Sequence, residues 1–350
     1  MLVDTTLARA KLYAAIVEQS ETTQQPFALR PSNIGQCPLR LQYTMQDAQQ
    51  GVWAEARNPR HIWSMFQGKV LEELMTLLLQ AAGAEVVVPP HDSDQWDEQV
   101  PPDPDTGFRP HLDALIRWPT VGLNDWAVLE VKDLRVMAHL DLLFNRLYYD
   151  RTYWLQCVSY LRTAPLAIAN YARAEMEAGI EGPWAELHSQ GVVPSGIFFV
   201  SSAKDPATAN MMAQQKITVP GYETKVPKKG WTEQQLAMMA LRKVWRERWD
   251  ENEGDPAFYF EYIERADASV SEAWDDIINI RRKVEQTDRA EPLYDVMVPD
   301  DQLETECRWY CPYLERHRNA GLTLLEQLEQ SVELTQTAQT MKSSEEDPFA

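Results

Sequence analysis

The stretch "DWAVLEVKDLR", Asp125–Arg135, decides how this chain is read. Its apolar residues are strand-like, yet Glu130, Lys132 and Asp133 fall within four positions of one another. In a strand, side chains two residues apart share a face. Glu130 and Lys132 therefore point one way, and Val131 and Asp133 the other. Taken alone, Glu-x-Lys reads as a strand salt bridge. The residues before and after it change that reading.

Just upstream, "GFRPHLDALIRW" (107–118) carries Asp113 inside a second apolar strand, and "PTVGLN" (119–124) is a hairpin-like connection between the two. A buried acid needs a partner. If the strands pair, Asp113 and Glu130 converge, and two carboxylates in contact repel unless a cation lies between them. Mg²⁺ suits such a site, being held by one or two carboxylates together with water and substrate phosphate. Lys132 would then orient a water or stabilise charge developing on phosphate. His111 shares the face of Asp113 and would either line the site or be a satisfied, half-buried histidine.

Working outward, residues 1–20 read as an amphipathic helix, and "PSNIGQCPLRLQYTM" (31–45) as a loop running into a short helix. Residues 60–82 have a strong helical period closed by Gly83. "AEVVVP" (84–89) is a short strand stopped by prolines, and 89–106 is turn-rich. A helical region covers about 136–178. "SGIFFVSS" (195–202) is another strand, with "QKITVP" (215–220) as its expected partner; helices are expected at 232–250, 268–286 and 320–340. The acidic end, "TAQTMKSSEEDPFA", reads as disordered. The pattern is an α/β core with a helical C-terminal part.

An Asp in an apolar strand, followed 17 residues later by the Glu of "LEVK", resembles the core of the PD-(D/E)XK nuclease superfamily. Two further segments resemble its RecB-type exonuclease branch, which includes CRISPR-associated and AddB-type exonucleases. "FQGKVLEELM" (66–75) is similar to a helix motif in which a Gly is followed four residues later by a His or Glu that reaches the metal, here Gly68 and Glu72. "YWLQCVSYL" (153–161) is similar to a Gln-x-x-x-Tyr motif, with Gln156 and Tyr160 on one helix face. The resemblance implies a restriction-endonuclease-like core, a mixed β-sheet flanked by helices. It implies Asp113 and Glu130 as ligands of Mg²⁺ or Mn²⁺, the Val131 carbonyl as a third, and Lys132 as the catalytic lysine. Glu72 would reach the metal directly or through water, with Glu73 a competitor for that role. Gln156 and Tyr160 would hold DNA backbone or the Lys–Glu pair. The domains expected on this basis are a helical segment 1–60, the nuclease core 61–220, a helical region 221–335 and a tail 336–350.

The four cysteines are Cys37, Cys157, Cys307 and Cys311. Cys157 reads as a packed small residue. The others flank the core, and "PSNIGQC" and "CRWYCPYLERH" resemble the segments that hold a [4Fe–4S] cluster in that exonuclease branch. His317 stands where a last cysteine is expected, and the C-x3-C spacing is looser than usual. A cluster with imidazole ligation, a zinc site and cysteines packed as hydrophobes all remain open.

The chain has 350 residues, 44% hydrophobic and 25% charged, an ordinary globular composition. No apolar run approaches the roughly 18–20 residues of a membrane span, and the N-terminus lacks a secretory pattern. The expectation is an intracellular, cytoplasmic protein of a bacterial or phage-infected cell. A formal charge of −20 argues against non-specific coating of nucleic acid, but not against local basic patches such as 225–229, 242–248, 281–283 and 316–318. Each of these also reads as a solvated surface. "GK" at 68–69 is not a phosphate loop, since Trp63 and Val70 stand where Gly and Ser or Thr are required. The expected activity is exonucleolytic hydrolysis of single-stranded DNA or duplex ends, in recombination, repair or processing, alone or with a protein partner. An endonuclease, or a non-catalytic DNA-binding subunit of the same fold, are the alternatives. The acidic "SSEEDPFA" end loosely resembles partner-recruiting tips and equally reads as a solubilising tail.

Overall fold

The computed structural model describes residues 11, 29–50, 59–89, 103, 107–108, 112–217, 233–252, 254 and 256–286. The chain divides into two compact units, residues 1–35 with 57–282 and residues 36–56 with 283–350. The second unit contains helix α1 (Pro38–Gln49), which starts with Pro in its first turn, where the missing N–H costs nothing. Gln42, buried on α1, donates to the carbonyl of Gln286 at 3.0 Å.

The first unit is built on a five-stranded mixed sheet in the order β1-β2-β3-β4-β5: Glu85–Val87, Ala114–Trp118, Leu123–Leu134, Gly196–Ala203 and Phe258–Glu264. β1, β2 and β3 are antiparallel neighbours; β4 runs parallel to β3, and β5 antiparallel to β4. Helix α2 (Pro59–Ala81) precedes β1. The parallel β3–β4 step requires a long crossover, which α3 (Val136–Asn145), α4 (Arg151–Glu177) and α5 (Pro183–Ser189) supply. Helices α6 (Pro206–Ile217), α7 (Glu233–Glu251) and α8 (Ala268–Glu285) complete the described chain. The α/β expectation of a mixed sheet flanked by helices holds at that level.

β3 is the middle strand, so both its faces are covered, and Ala127–Val131 are buried without interruption. One face packs on α2, where Met75 and Leu79 meet Ile116, Leu129, Val131, Phe198 and Val200 in one apolar cluster. The other carries Glu130 and Ser201, which meet side chains of α4 and α3. Gly83, at φ +93°, ends α2, and Ala84 N–H returns to the Leu79 carbonyl at 3.0 Å. Asp150 caps α4 by accepting from Tyr153 N–H at 3.0 Å. Pro165 inside α4 offers no N–H to the Leu161 carbonyl, and Arg265 supplies that donor instead, at 2.5 Å.

Several sequence expectations are corrected. Asp113 lies in the bend just before β2 rather than inside a strand, because pairing with β3 begins at Ala114. The helical region at 136–178 is broken at Arg146, a non-glycine residue at φ +67°, and a 3₁₀ turn, Leu147–Tyr149. Gln215–Ile217 belong to helix α6, not to a strand, and the antiparallel partner of β4 is β5. β5, "FYFEYIE", lies beyond residue 220, where the sequence reading ended the core. Its burial has a strand's period, with Tyr259, Glu261 and Ile263 turned inward and Phe258, Phe260, Tyr262 and Glu264 outward. The N-terminal helix apart from Lys11, the helix at 320–340, the patches 225–229 and 316–318, and the tail lie outside the described residues.

Candidate active site

Glu130 is the centre of the arrangement. It sits mid-strand with none of its side chain exposed, while Lys132, two residues on, is 22% exposed. Their side chains form an ion pair through Glu130 Oε1. The same oxygen accepts from Gln156 Nε2 at 3.0 Å, and Gln156 Nε2 also donates to the Tyr160 hydroxyl at 3.1 Å. Gln156 and Tyr160, four apart on α4, thus act from one helix face on one carboxylate. Glu130 Oε2 is buried and, among the described residues, receives no donor. The half-buried Asp113 carboxyl stands within hydrogen-bonding reach of Glu130. Both groups are acceptors when ionised, so the contact is repulsive unless one takes up a proton or a cation joins them.

The electrostatics follow from this crowding. Burial, and next the Asp113 charge, push Glu130 well above the usual carboxylate range, against the pull of Lys132. Burial pulls Lys132 down, but the charges of Glu130 and Asp113 outweigh it and hold the ammonium well above its ordinary value. Burial likewise raises the Tyr160 and Tyr153 hydroxyls and the Cys157 thiol, which makes Cys157 a packed, unreactive side chain.

Of the residues singled out in the sequence, Asp113, Glu130, Lys132, Gln156 and Tyr160 come together. Glu72 forms no group of three acids with Asp113 and Glu130 among the described residues. It is half-buried on α2, the helix that packs on the Val131 face of the sheet, and Glu73 beside it is exposed. Among the described residues no group of three His, Cys, Asp or Glu side chains gathers around one point. The donor set near Glu130 is nonetheless all oxygen: two carboxylates, one with an unsatisfied buried oxygen, and the Val131 carbonyl between Glu130 and Lys132. That chemistry fits a hard divalent cation whose remaining positions are filled by water and substrate. Cys37 is buried at the start of α1. His111, Cys307, Cys311 and His317 lie outside the described residues.

The sequence reading missed a second layer. Ser201 pairs with Lys132 in the β3–β4 register, and His139 Nδ1 lies 3.0 Å from its hydroxyl, both side chains fully buried. Glu261 shares the row of Glu130 and Phe199; its Oε2 accepts from the Tyr259 hydroxyl at 2.6 Å and from Leu147 N–H at 2.9 Å. A polar residue inside an apolar run, as in "GIFFVSS" and "VMAHLDLLF", is the same signal that marked Glu130. The 242–248 patch on α7 is largely engaged. Lys243 pairs with Glu247, Arg248 with Glu251, and Arg246 bonds the Ile217 carbonyl.

Compared with protein-family models, with curated proteins and with solved structures, the chain matches none.

Proposed function

We propose that this chain is a divalent-metal-dependent deoxyribonuclease of the PD-(D/E)XK kind, acting as a RecB-like exonuclease. The observation that carries the proposal is the fully buried Glu130, gripped on one oxygen by Lys132 and Gln156 and faced by Asp113, while its other oxygen has no donor among the described residues. A purely structural acid has no use for a second acid beside it.

Asp113, Glu130 and the Val131 carbonyl would hold Mg²⁺ or Mn²⁺. A divalent cation bound there supplies Lewis acidity toward a phosphate oxygen and neutralises charge. The protein's own part is positional and electrostatic. Gln156 fixes the orientation of the Glu130 carboxylate, and the Tyr160 hydroxyl fixes Gln156. The Lys132 ammonium, partly exposed and held cationic by its acidic neighbours, orients the attacking water and stabilises charge on the phosphate as the phosphorus–oxygen bond to the leaving sugar breaks. DNA as substrate, and exonuclease rather than endonuclease action, rest on the family resemblance, as does a role in recombination, repair or processing. The cluster or zinc proposal for Cys37, Cys307, Cys311 and His317 has the same basis. Anaerobically purified protein without iron or zinc would remove it.

A second reading has one observation in its favour: a buried Lys–Glu pair is also a common structural device. In that case the chain would be a non-catalytic DNA-binding or assembly subunit. The deciding experiment incubates end-labelled single- and double-stranded DNA with Mg²⁺ or Mn²⁺, wild type beside Lys132→Ala. The nuclease reading expects at least about a 100-fold loss in the variant, as for removal of a group that stabilises transition-state charge. Equal activity overturns it, and cutting of closed circular DNA would favour the endonuclease.

A further inference from the structure

On the face of the sheet opposite Glu130 there is a cavity of about 330 Å³ that the catalytic reading does not use. It lies at the carboxyl ends of the parallel strands β3 and β4, the end at which open α/β sheets place ligands. Its volume is at the small end of the range for small-ligand sites, about 300–1,000 Å³. The floor is one register row across three strands: Asp133, Ser202 and Phe258. The row just before it, on the opposite face, is Lys132, Ser201 and Tyr259. The lysine and the cavity floor are therefore consecutive residues of β3 near the carboxyl end of the strand, with side chains on opposite faces, so a chain segment crossing that end of the sheet passes both.

The lining has two chemistries. Leu71, Leu74 and Leu78 of α2 and the ring of Phe258 provide flat apolar walls. At the floor, Asp133 pairs with Lys204 at 3.2 Å and accepts a long hydrogen bond from Ser202 at 3.4 Å. A carboxylate that accepts and an ammonium that donates stand together at the bottom of an apolar slot. A purely aliphatic occupant would bury that pair unsolvated. A planar heterocycle whose edge both donates and accepts satisfies the pair and fills the walls.

We propose that this cavity receives one unstacked base of the strand whose phosphate is held at Lys132. The proposal rests on the nuclease reading and adds to it a single-stranded substrate whose bases are splayed apart next to the cleaved bond. Stacking of one base on an aromatic ring, here Phe258, makes a difference of about tenfold in binding.

The test is an abasic scan. Single-stranded oligonucleotides of one sequence, each lacking one base at a successive position, are cleaved in Mg²⁺ by wild type, Leu78→Trp and Leu77→Trp. Leu78 is 50% exposed and Leu77 62%, so neither substitution threatens the core, and only Leu78 lines the cavity. The expected result is a fall of about tenfold in kcat/KM at one position near the cleaved bond. Leu78→Trp flattens the scan and lowers turnover of the intact strand to match, while Leu77→Trp keeps the wild-type profile. A flat wild-type scan with cleavage intact overturns the base pocket and leaves the catalytic reading standing. A dip that survives Leu78→Trp also overturns it. No wild-type cleavage with either Mg²⁺ or Mn²⁺ removes the catalytic reading, and the pocket's assignment with it.

Discussion

β3 carries two carboxylate–ammonium pairs, one on each face, and they are not alike. Glu130 pairs with Lys132 beneath α4, and Asp133 pairs with Lys204 on the α2 side at 3.2 Å. Both acids are deeply buried, Asp133 with only 4% of its side chain exposed. Asp133 has a cation and a hydroxyl around it, with one oxygen bonded to each. Among the described residues, Glu130 has its bonds to Lys132 and Gln156 on one oxygen, none on the other, and a second acid in contact. Burial and ion pairing alone therefore do not mark a place for a cation. The separating feature is an unsatisfied acceptor that faces more negative charge.

The largest expected effects are on chemistry. Glu130→Gln keeps the size and the burial of the side chain but removes its charge, and should lower metal-dependent DNA cleavage by at least about 100-fold. Asp133→Asn, the matching change on the other face, should cost only a few-fold, in line with about 0.5–1 kcal/mol of net hydrogen bonding to the partly exposed Lys204. Rates on end-labelled single strands check both. Comparable losses in the two variants would break the comparison.

Next comes stability in the absence of metal. Glu130 is raised well above the usual carboxylate range by burial and by Asp113. The folded state then binds the proton more tightly than the unfolded chain, so this group's stabilisation is complete below the ordinary carboxylate pKa. It is lost as pH rises from there through the raised folded value. In chelator, denaturant midpoints should fall with rising pH over that window, and Glu130→Gln should flatten the slope. Mg²⁺ should restore the wild-type midpoint at the upper end of the window by binding the folded state, and leave Glu130→Gln unmoved. A wild-type slope that persists in Glu130→Gln would place its origin elsewhere.

Much of this was legible in the sequence. Period-two alternation set the faces of β3, the i,i+4 spacing put Gln156 and Tyr160 on one helix face, and an acid inside an apolar run marked Glu130. What escaped has physical reasons. "FYFEYIE" is an edge strand, half exposed, and its apolar signal is diluted by acids that face solvent or Tyr259. "QKITVP" has β-branched residues, but the preceding turns of α6 carry the helix on through Ile217, with Ala209, Ala213 and Ile217 buried on one face. Asp113 was placed within a strand because hydrophobicity does not show where pairing starts; that is fixed by the partner, Leu129 opposite Ala114. His139 and Ser201 come from elements 62 residues apart, and only the fold joins them.

The smallest effects compare the hydroxyl neighbours of the two pairs. Tyr160 accepts from Gln156 at 3.1 Å and so fixes the amide that holds Glu130, whereas Ser202 reaches Asp133 only at 3.4 Å, a weak bond. Tyr160→Phe leaves Gln156 with one acceptor and should cost about 1 kcal/mol in the barrier, roughly a five- to tenfold loss in kcat. It should do so with little change in KM, because under the proposed function the hydroxyl orients the Glu130 carboxylate through Gln156 rather than the substrate. Ser202→Ala should change kcat by less than about twofold and stability by less than about 0.5 kcal/mol. An effect of Ser202→Ala on kcat as large as that of Tyr160→Phe would mean that the two faces of β3 are coupled through the strand, and that the Asp133 pair belongs to the catalytic machinery after all.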